Sequence, residues 1–170
     1  MRSITIRPIT PSDDPKIAGI VRENLRTYHL DIPGTAYVDP QLGALSRYYY
    51  VLPEKRRYFI ALREDETVVG GVGVAEFSGF ARCAEIQKLY LTDEAKGKGF
   101  GKQLMAVAEE FARAAGYRFL YLETHTNLEA AIGLYEKLGF RQIEKPDAVL
   151  HSTMNRFYWK DMEPSAGEAQ

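Results

Sequence analysis

A single cysteine, Cys83, stands among 170 residues. It excludes an internal disulfide and cannot by itself form a metal site, so no metal is expected. No apolar run approaches the ~20 residues that a membrane-spanning helix needs. The first residues, Met1-Arg2-Ser3-Ile4-Thr5-Ile6-Arg7, alternate in the manner of a strand and lack the apolar block of a secretory signal. A cytoplasmic protein with no membrane partner is the expectation. An excess of charge of one sign is missing too. Lys+Arg 22 against Asp+Glu 23 leaves a net charge of -1, which offers no global field to nucleic acid or to an anionic membrane. There is no internal repeat and no linker. What remains is 45% hydrophobic, enough for one substantial core. One domain over residues 1–162 is expected, with a frayed tail over 163–170, where Pro164-Ser165-Ala166-Gly167-Glu168-Ala169-Gln170 carries little apolar content.

Periodicity orders the elements as a mixed α/β chain. Ile4–Ile9 alternates apolar and polar and predicts a first strand. Asp13 or Asp14 then caps a helix with Pro15 in its first turn, and Ile17, Ile20, Val21, Leu25 and Tyr28 form its apolar stripe. A turn-rich loop over His29–Thr35 precedes a short helix after Asp39-Pro40, carrying Leu42, Leu45, Tyr48 and Tyr49. Tyr58–Leu62 and Val68–Phe77 read as a hairpin, and Ala84–Leu91 as the next strand. A helix over Gly99–Ala115 turns Leu104, Val107, Ala108 and Phe111 to the core, and a strand follows at Leu120–Thr124. Strands around Arg141–Lys145 and Thr153–Lys160 close the domain.

The densest chemical signal is Lys96-Gly97-Lys98-Gly99-Phe100-Gly101-Lys102, between an apolar strand and a helix. Glycines at every second position leave backbone N–H groups uncovered, and the helix start adds unpaired N–H groups and the positive end of its dipole. Lys96, Lys98 and Lys102 add positive charge at the same place. The segment suits a phosphate or pyrophosphate. Spacing narrows the choice. A nucleotide-triphosphate loop needs G-x-x-x-x-G-K-[ST], but Gly97 to Gly101 is one residue short and Gln103 stands where Ser or Thr would bind Mg²⁺. A dinucleotide fingerprint fails because Lys102 takes the place of its third glycine.

The residues resemble motif A of the GCN5-related N-acetyltransferases (GNAT), [QR]-x-x-G-x-[GA], on Lys96, Gly99 and Gly101, with Lys in place of the usual Arg or Gln. Motif B of the same family, ending L-Y-x-K-L-G-F, resembles Leu134-Tyr135-Glu136-Lys137-Leu138-Gly139-Phe140, with Asn127 as the expected helix cap and Gly139 as its stop. The resemblance covers roughly residues 3–161. It implies an α/β (α+β) fold: a central mixed, largely antiparallel twisted sheet of six to seven strands, splayed between the fourth and fifth and flanked by about four helices. It also implies transfer of the acetyl group of acetyl-CoA to a primary amine, by direct attack in a ternary complex. The implied cofactor-binding residues are Leu89, Tyr90, Leu91, Lys96, Gly97, Lys98, Gly99, Phe100, Gly101, Lys102 and Asn127. Tyr135 is then the thiolate-facing tyrosine, the backbone N–H of Leu91 or a near neighbour meets the oxyanion, and the pantetheine arm lies along Leu89–Leu91.

Amide formation also needs a proton acceptor, because an amine near pKa ~10.4 is almost wholly protonated at neutral pH. Glu85, on the fourth strand, is the leading base. His125 is the rival, and Glu76 and Glu123 lie near strand ends. Tyr28, Tyr37, Tyr48, Tyr49, Tyr50, Phe80, Phe157, Tyr158 and Trp159 suit an acceptor wall, an ordinary core or a homodimer interface. An acidic lining for a polyamine would draw on Asp31, Asp39, Glu76 and Glu85. The acceptor stays open among a small amine, an amino acid and a peptide amine. Two other functions compete: a catalytically weak acyl-CoA-binding or regulatory domain on the same fold, and a nucleotide-phosphate binder of unrelated chemistry.

Overall fold

The computed structural model describes residues 3–149 and 151–163, so the expected tail, Glu163 apart, lies outside the described residues. Seven strands form one sheet: β1 (Thr5–Pro8), β2 (Arg57–Leu62), β3 (Val68–Glu76), β4 (Cys83–Leu91), β5 (Phe119–Thr124), β6 (Arg141–Ile143) and β7 (Arg156–Asp161). They are ordered β1-β2-β3-β4-β5-β7-β6, and every neighbouring pair is antiparallel except β4 and β5. Four α-helices accompany the sheet among the described residues: α1 (Asp14–Thr27), α2 (Leu45–Tyr50), α3 (Phe100–Ala114) and α4 (Glu129–Lys137). This is the mixed, largely antiparallel architecture that the motifs imply.

The two larger of three buried clusters lie on the two faces of the sheet, and the third gathers Phe77, Cys83, Tyr121 and Phe157. Phe100, Leu104, Met105, Ala108 and Ala112 of α3 pack with Val72, Val74, Ile86, Leu120 and Leu122. Ile17, Ile20, Val21 and Leu25 of α1 and Leu45 and Tyr49 of α2 pack with Tyr58, Ile60 and Ala75. Asp14 does not act as a cap. Its carboxylate accepts from the Ser46 N–H at 2.9 Å and from the Ser46 hydroxyl at 2.6 Å, tying α1 to α2. Asp13 reaches back to the Thr10 N–H at 2.8 Å and to Arg7.

The feature that makes a site is the gap between β4 and β5. Their ladder holds only Cys83↔Phe119, Ala84↔Leu120 and Glu85↔Tyr121, after which the strands part. A bulge in β4 accompanies the parting. Opposite β3, Gly73 faces Gln87 and Gly71 faces Tyr90, so Lys88 and Leu89 together oppose one residue, with Lys88 at φ 48°. Glycines on β3 make room for what supports this bend. A Cβ at Gly71 or Gly73 would fall within 3.0 Å of the Tyr58 ring, and at Gly73 also of Tyr49. The Tyr58 hydroxyl donates to the Lys88 carbonyl and the Tyr49 hydroxyl to Gln87 Oε1, each at 2.7 Å. Beyond the bulge Leu89 and Leu91 face the α3 core while Tyr90 faces the α1 side.

Candidate active site

A cleft of about 360 Å³ follows the gap. Its walls include Leu89, Tyr90, Leu91, Lys96, Gly97, Gly99, Gly101, Lys102 and Tyr135 from the expected set. Lys98, Phe100, Asn127 and Glu85 are not among its lining residues.

At one end lies the glycine turn. Gly97 and Gly99 have φ of 74° and 81°, a region closed to most L-residues, and Gly99 is the N-cap of α3 without a side-chain cap. The first bond of α3 runs from the Gln103 N–H to the Gly99 carbonyl at 3.2 Å, so the N–H groups before it have no partner within the helix. Nothing lies within 4 Å of a Cβ built at Gly97 or Gly99. The turn is an open row of amide donors. Phe100 contributes backbone only, because its ring is 2% exposed and packed into the core. Lys96 is less free than the sequence implies: its ammonium pairs with Asp93 at 2.8 Å and sits 5.1 Å above the Tyr28 ring. Lys98 is exposed.

The open edge of β4 comes next. The Thr92 N–H donates to the Val69 carbonyl at 2.8 Å. In the alternation of an antiparallel pair, Leu91, opposite Gly70, therefore turns its own N–H away from β3 and toward the gap. Asn24 holds this strand end in place, donating to the carbonyls of Leu91 and Ile20 at 2.9 Å each. Tyr135 is 6% exposed, its ring edge-on to Phe140. Burial, then the neighbouring Tyr90, raises its pKa, so the hydroxyl keeps its proton.

Asn127 corrects an expectation. Leu128, not Asn127, occupies the N-cap of α4, and the Asn127 amide donates instead to the Tyr28 carbonyl at 2.9 Å. An Asn spaced to cap a helix turns away here because a tertiary acceptor from α1 lies within reach.

The far end of the cleft is acidic. Glu85 is 4% exposed, and its carboxylate accepts from Gln87 Nε2 at 2.7 Å. Burial, then the charge of Glu123, pushes its pKa up to about 7. Two residues beyond its partner Tyr121, Glu123 lines the cleft, as does Lys88. Glu123 accepts from the Tyr121 hydroxyl at 3.0 Å and from the His151 backbone at 3.1 Å. His151 also spans from Glu123 to Asp39, and Lys88 Nζ pairs with Asp39 at 2.9 Å. Burial lowers the His151 pKa, but Asp39 and Glu123 overcome it and raise the value to about 9.

Other candidates fall away from this cluster. Glu76 is held by Arg56, which lowers its pKa. His125 Nδ1 accepts from the Asn127 N–H at 3.0 Å and does not line the cleft. Asp31 is exposed. Of the nine aromatics suited to an acceptor wall, only Tyr28 lines the cleft among the described residues, while Tyr49, Phe157 and Tyr158 are core residues. Asn24, Gln87, Lys88 and His151 were not legible as site residues. Asn24 alone left a trace, a polar residue four after Ile20 on the apolar face of α1.

Comparison with known proteins agrees with this fold. The model of the Acetyltransferase (GNAT) family matches residues 22–140. The uncharacterized N-acetyltransferase YjgM of Escherichia coli (strain K12) is 36% identical over 145 residues, covering 84% of this chain and 85% of that protein. A GNAT-family acetyltransferase structure from Staphylococcus aureus superposes with a TM-score of 0.82 at 18% identity, covering 95% of this chain and all of the other. A phosphinothricin acetyltransferase from Sinorhizobium meliloti, in complex with acetyl-CoA, superposes with a TM-score of 0.72 at 22% identity, covering 98% of this chain and 95% of the other. The protein is an acyltransferase. The chain belongs to the GNAT family of acetyltransferases. No described helix is long and apolar enough to cross a membrane.

Proposed function

We propose that this chain is a cytoplasmic, single-domain N-acetyltransferase, acting over residues 1–162, that passes the acetyl group of acetyl-CoA to a primary amine by direct attack in a ternary complex. One observation carries the reading: the same cleft is lined by Gly97, Gly99 and Gly101 of the open turn, by the β4 edge at Leu91, by Tyr135 and by Glu123. The acetyl-CoA in the Sinorhizobium structure supports the choice of donor.

The residues fit that donor. Unpartnered N–H groups at the start of α3, with Lys98 and Lys102 beside them, suit a pyrophosphate. The exposed edge at Leu89–Leu91 suits an extended amide-bearing arm, and the Leu91 N–H is turned to where a carbonyl oxygen would gain charge. Asn127 stands outside the cleft lining and acts on it only through the Tyr28 carbonyl that it bonds. Tyr135 holds a proton that the departing thiolate needs. Glu85, titrating near neutrality, takes the proton of the arriving ammonium group, through a water because it stands behind the cleft wall. The acceptor is a small-molecule or peptide amine.

Thermal-shift measurements with acetyl-CoA, CoA, ATP and NAD, followed by thiol release across simple amines, amino acids and peptide amines, test this reading. Stabilisation by acetyl-CoA and CoA with turnover of at least one amine is expected. Stabilisation by ATP or NAD alone would overturn it.

A further inference from the structure

We infer that His151 is a positioning residue of the acceptor end: as an imidazolium held between Glu123 and Asp39, it fastens the β6–β7 connection beside the gap and fixes Glu123, whose buried carboxylate sets the negative charge behind the cleft wall that the acceptor's ammonium group approaches. The inference rests on the acetyl-transfer reading and deepens it.

The geometry of the ring carries the argument. His151 Nε2 lies 2.9 and 3.0 Å from the two oxygens of Asp39, and Nδ1 lies 3.2 Å from Glu123 Oε1. Nε2 is hydrogen-bonded to Asp39, and Nδ1 stands within ion-pair distance of Glu123, so protonating both nitrogens sets the ring's charge between two carboxylates, which a neutral imidazole with its one N–H does not. The ring is also a tether. The loop that bears it is sewn to the α1–α2 connection by the Thr153 N–H to Gly34 at 3.0 Å and the Thr153 hydroxyl to Pro33 at 2.7 Å. Asp39 belongs to that same connection, so His151 joins three segments: it, the β6–β7 loop and β5.

Charge then defines the acceptor. The groups facing His151 and one another are Asp39, Glu123, Glu85, Lys88 and the Tyr121 hydroxyl. Glu123 and Glu85 share a face, since Glu123 follows by two the Tyr121 that pairs with Glu85. Three carboxylates stand against two cations, Lys88 and His151. One negative charge is left unmatched above about pH 7, where Glu85 is ionised, and one ammonium balances it. The acceptor class is therefore an amine whose reacting nitrogen is its one cation within the cleft; a closely spaced polyamine would bring charge that these residues do not match.

Two measurements on the full chain test this. In imidazole ¹⁵N NMR the three histidines are few enough to assign. The His151 ring is expected to stay doubly protonated at pH 7.5 in the wild type and to titrate lower in Glu123→Gln and in Asp39→Asn. A neutral His151 ring at pH 7.5, or one indifferent to both substitutions, overturns the clamp. In thiol release with the amine panel, His151→Gln and Glu123→Gln are expected to raise the amine KM at least tenfold while the acetyl-CoA Kd stays within twofold. An unchanged amine KM, or loss confined to acetyl-CoA affinity, overturns the acceptor role. If no amine turns over, the acetyl-transfer reading fails, and the NMR result still decides the clamp.

Discussion

Replacing Glu85 by Gln should make the protein more stable and less active, in a way that depends on pH. The carboxyl is buried without a cation of its own, and its pKa stands at about 7 against an ordinary glutamate value of 4.5. Its folded value is raised, so ionisation is disfavoured in the folded state. The resulting cost is absent below about pH 4.5 and complete above about pH 7. At one pKa unit per ~1.4 kcal/mol, ionisation of Glu85 costs about 3 kcal/mol at pH 8 and under about 1 kcal/mol at pH 5. Gln removes the charge, keeps the shape and retains an oxygen for the Gln87 amide that now bonds Glu85 at 2.7 Å. For a chain of this size about 1 kcal/mol moves Tm by roughly 2–4 °C. Differential scanning calorimetry should therefore show Glu85→Gln melting about 6–12 °C above wild type at pH 8 and within about 3 °C of it at pH 5. The His151 titration is common to both proteins and largely cancels in the difference. If the variant has the same Tm offset at both pH values, Glu85 does not titrate near neutrality, and its assignment as base loses its physical ground. The same variant should lower kcat/KM and remove the acidic limb of the pH profile, with acetyl-CoA affinity unchanged.

Three further outcomes follow from the site. Tyr135→Phe keeps the packing against Phe140 and deletes the hydroxyl, so kcat should fall about 10-fold to 10⁴-fold with acetyl-CoA Kd preserved; unchanged kcat across the pH range would remove its role as donor. Gly99→Val forces a β-branched residue to a φ of 81° in open space, so isothermal titration should show weakened acetyl-CoA binding, whereas Lys98→Ala, an exposed charge, should lose only ~0.2–1 kcal/mol. His151, raised from 6.5 to about 9, contributes stability that is complete below about pH 6.5 and lost as pH rises through 9; urea titrations should show wild-type stability falling across that window, by about 3 kcal/mol at most, and His151→Gln flattening the fall.

Much of the fold was legible because its signals are local. The apolar run of Tyr58–Leu62, the stripe of α1 and the glycine stop at Gly139 each depend on near neighbours in the chain, and each element stands within a few residues of its expected place. The glycine turn was legible for the same reason: its chemistry is that of its own backbone. The acceptor end was not. Asp39, Lys88, Glu123 and His151 lie far apart in sequence and meet only because the β4 bulge opens the sheet and two loops close over it. Nothing local marks His151, which sits in a loop between two short strands. Asn127 failed in the opposite direction: its local signal was a helix cap, and the Tyr28 carbonyl, 99 residues away, outcompeted it.

Single-turnover mass spectrometry decides whether the proposed acetyl transfer runs directly from donor to amine within this cleft. Enzyme is mixed with acetyl-CoA, and an amine from the panel is added. Acetyl-CoA is expected to stay intact until the amine arrives, free CoA and the N-acetylated amine then to appear in equal amounts, and no acetyl group to be carried on the protein. Acetyl-protein formed before the amine is added, or CoA released without N-acetylated product, would contradict direct transfer.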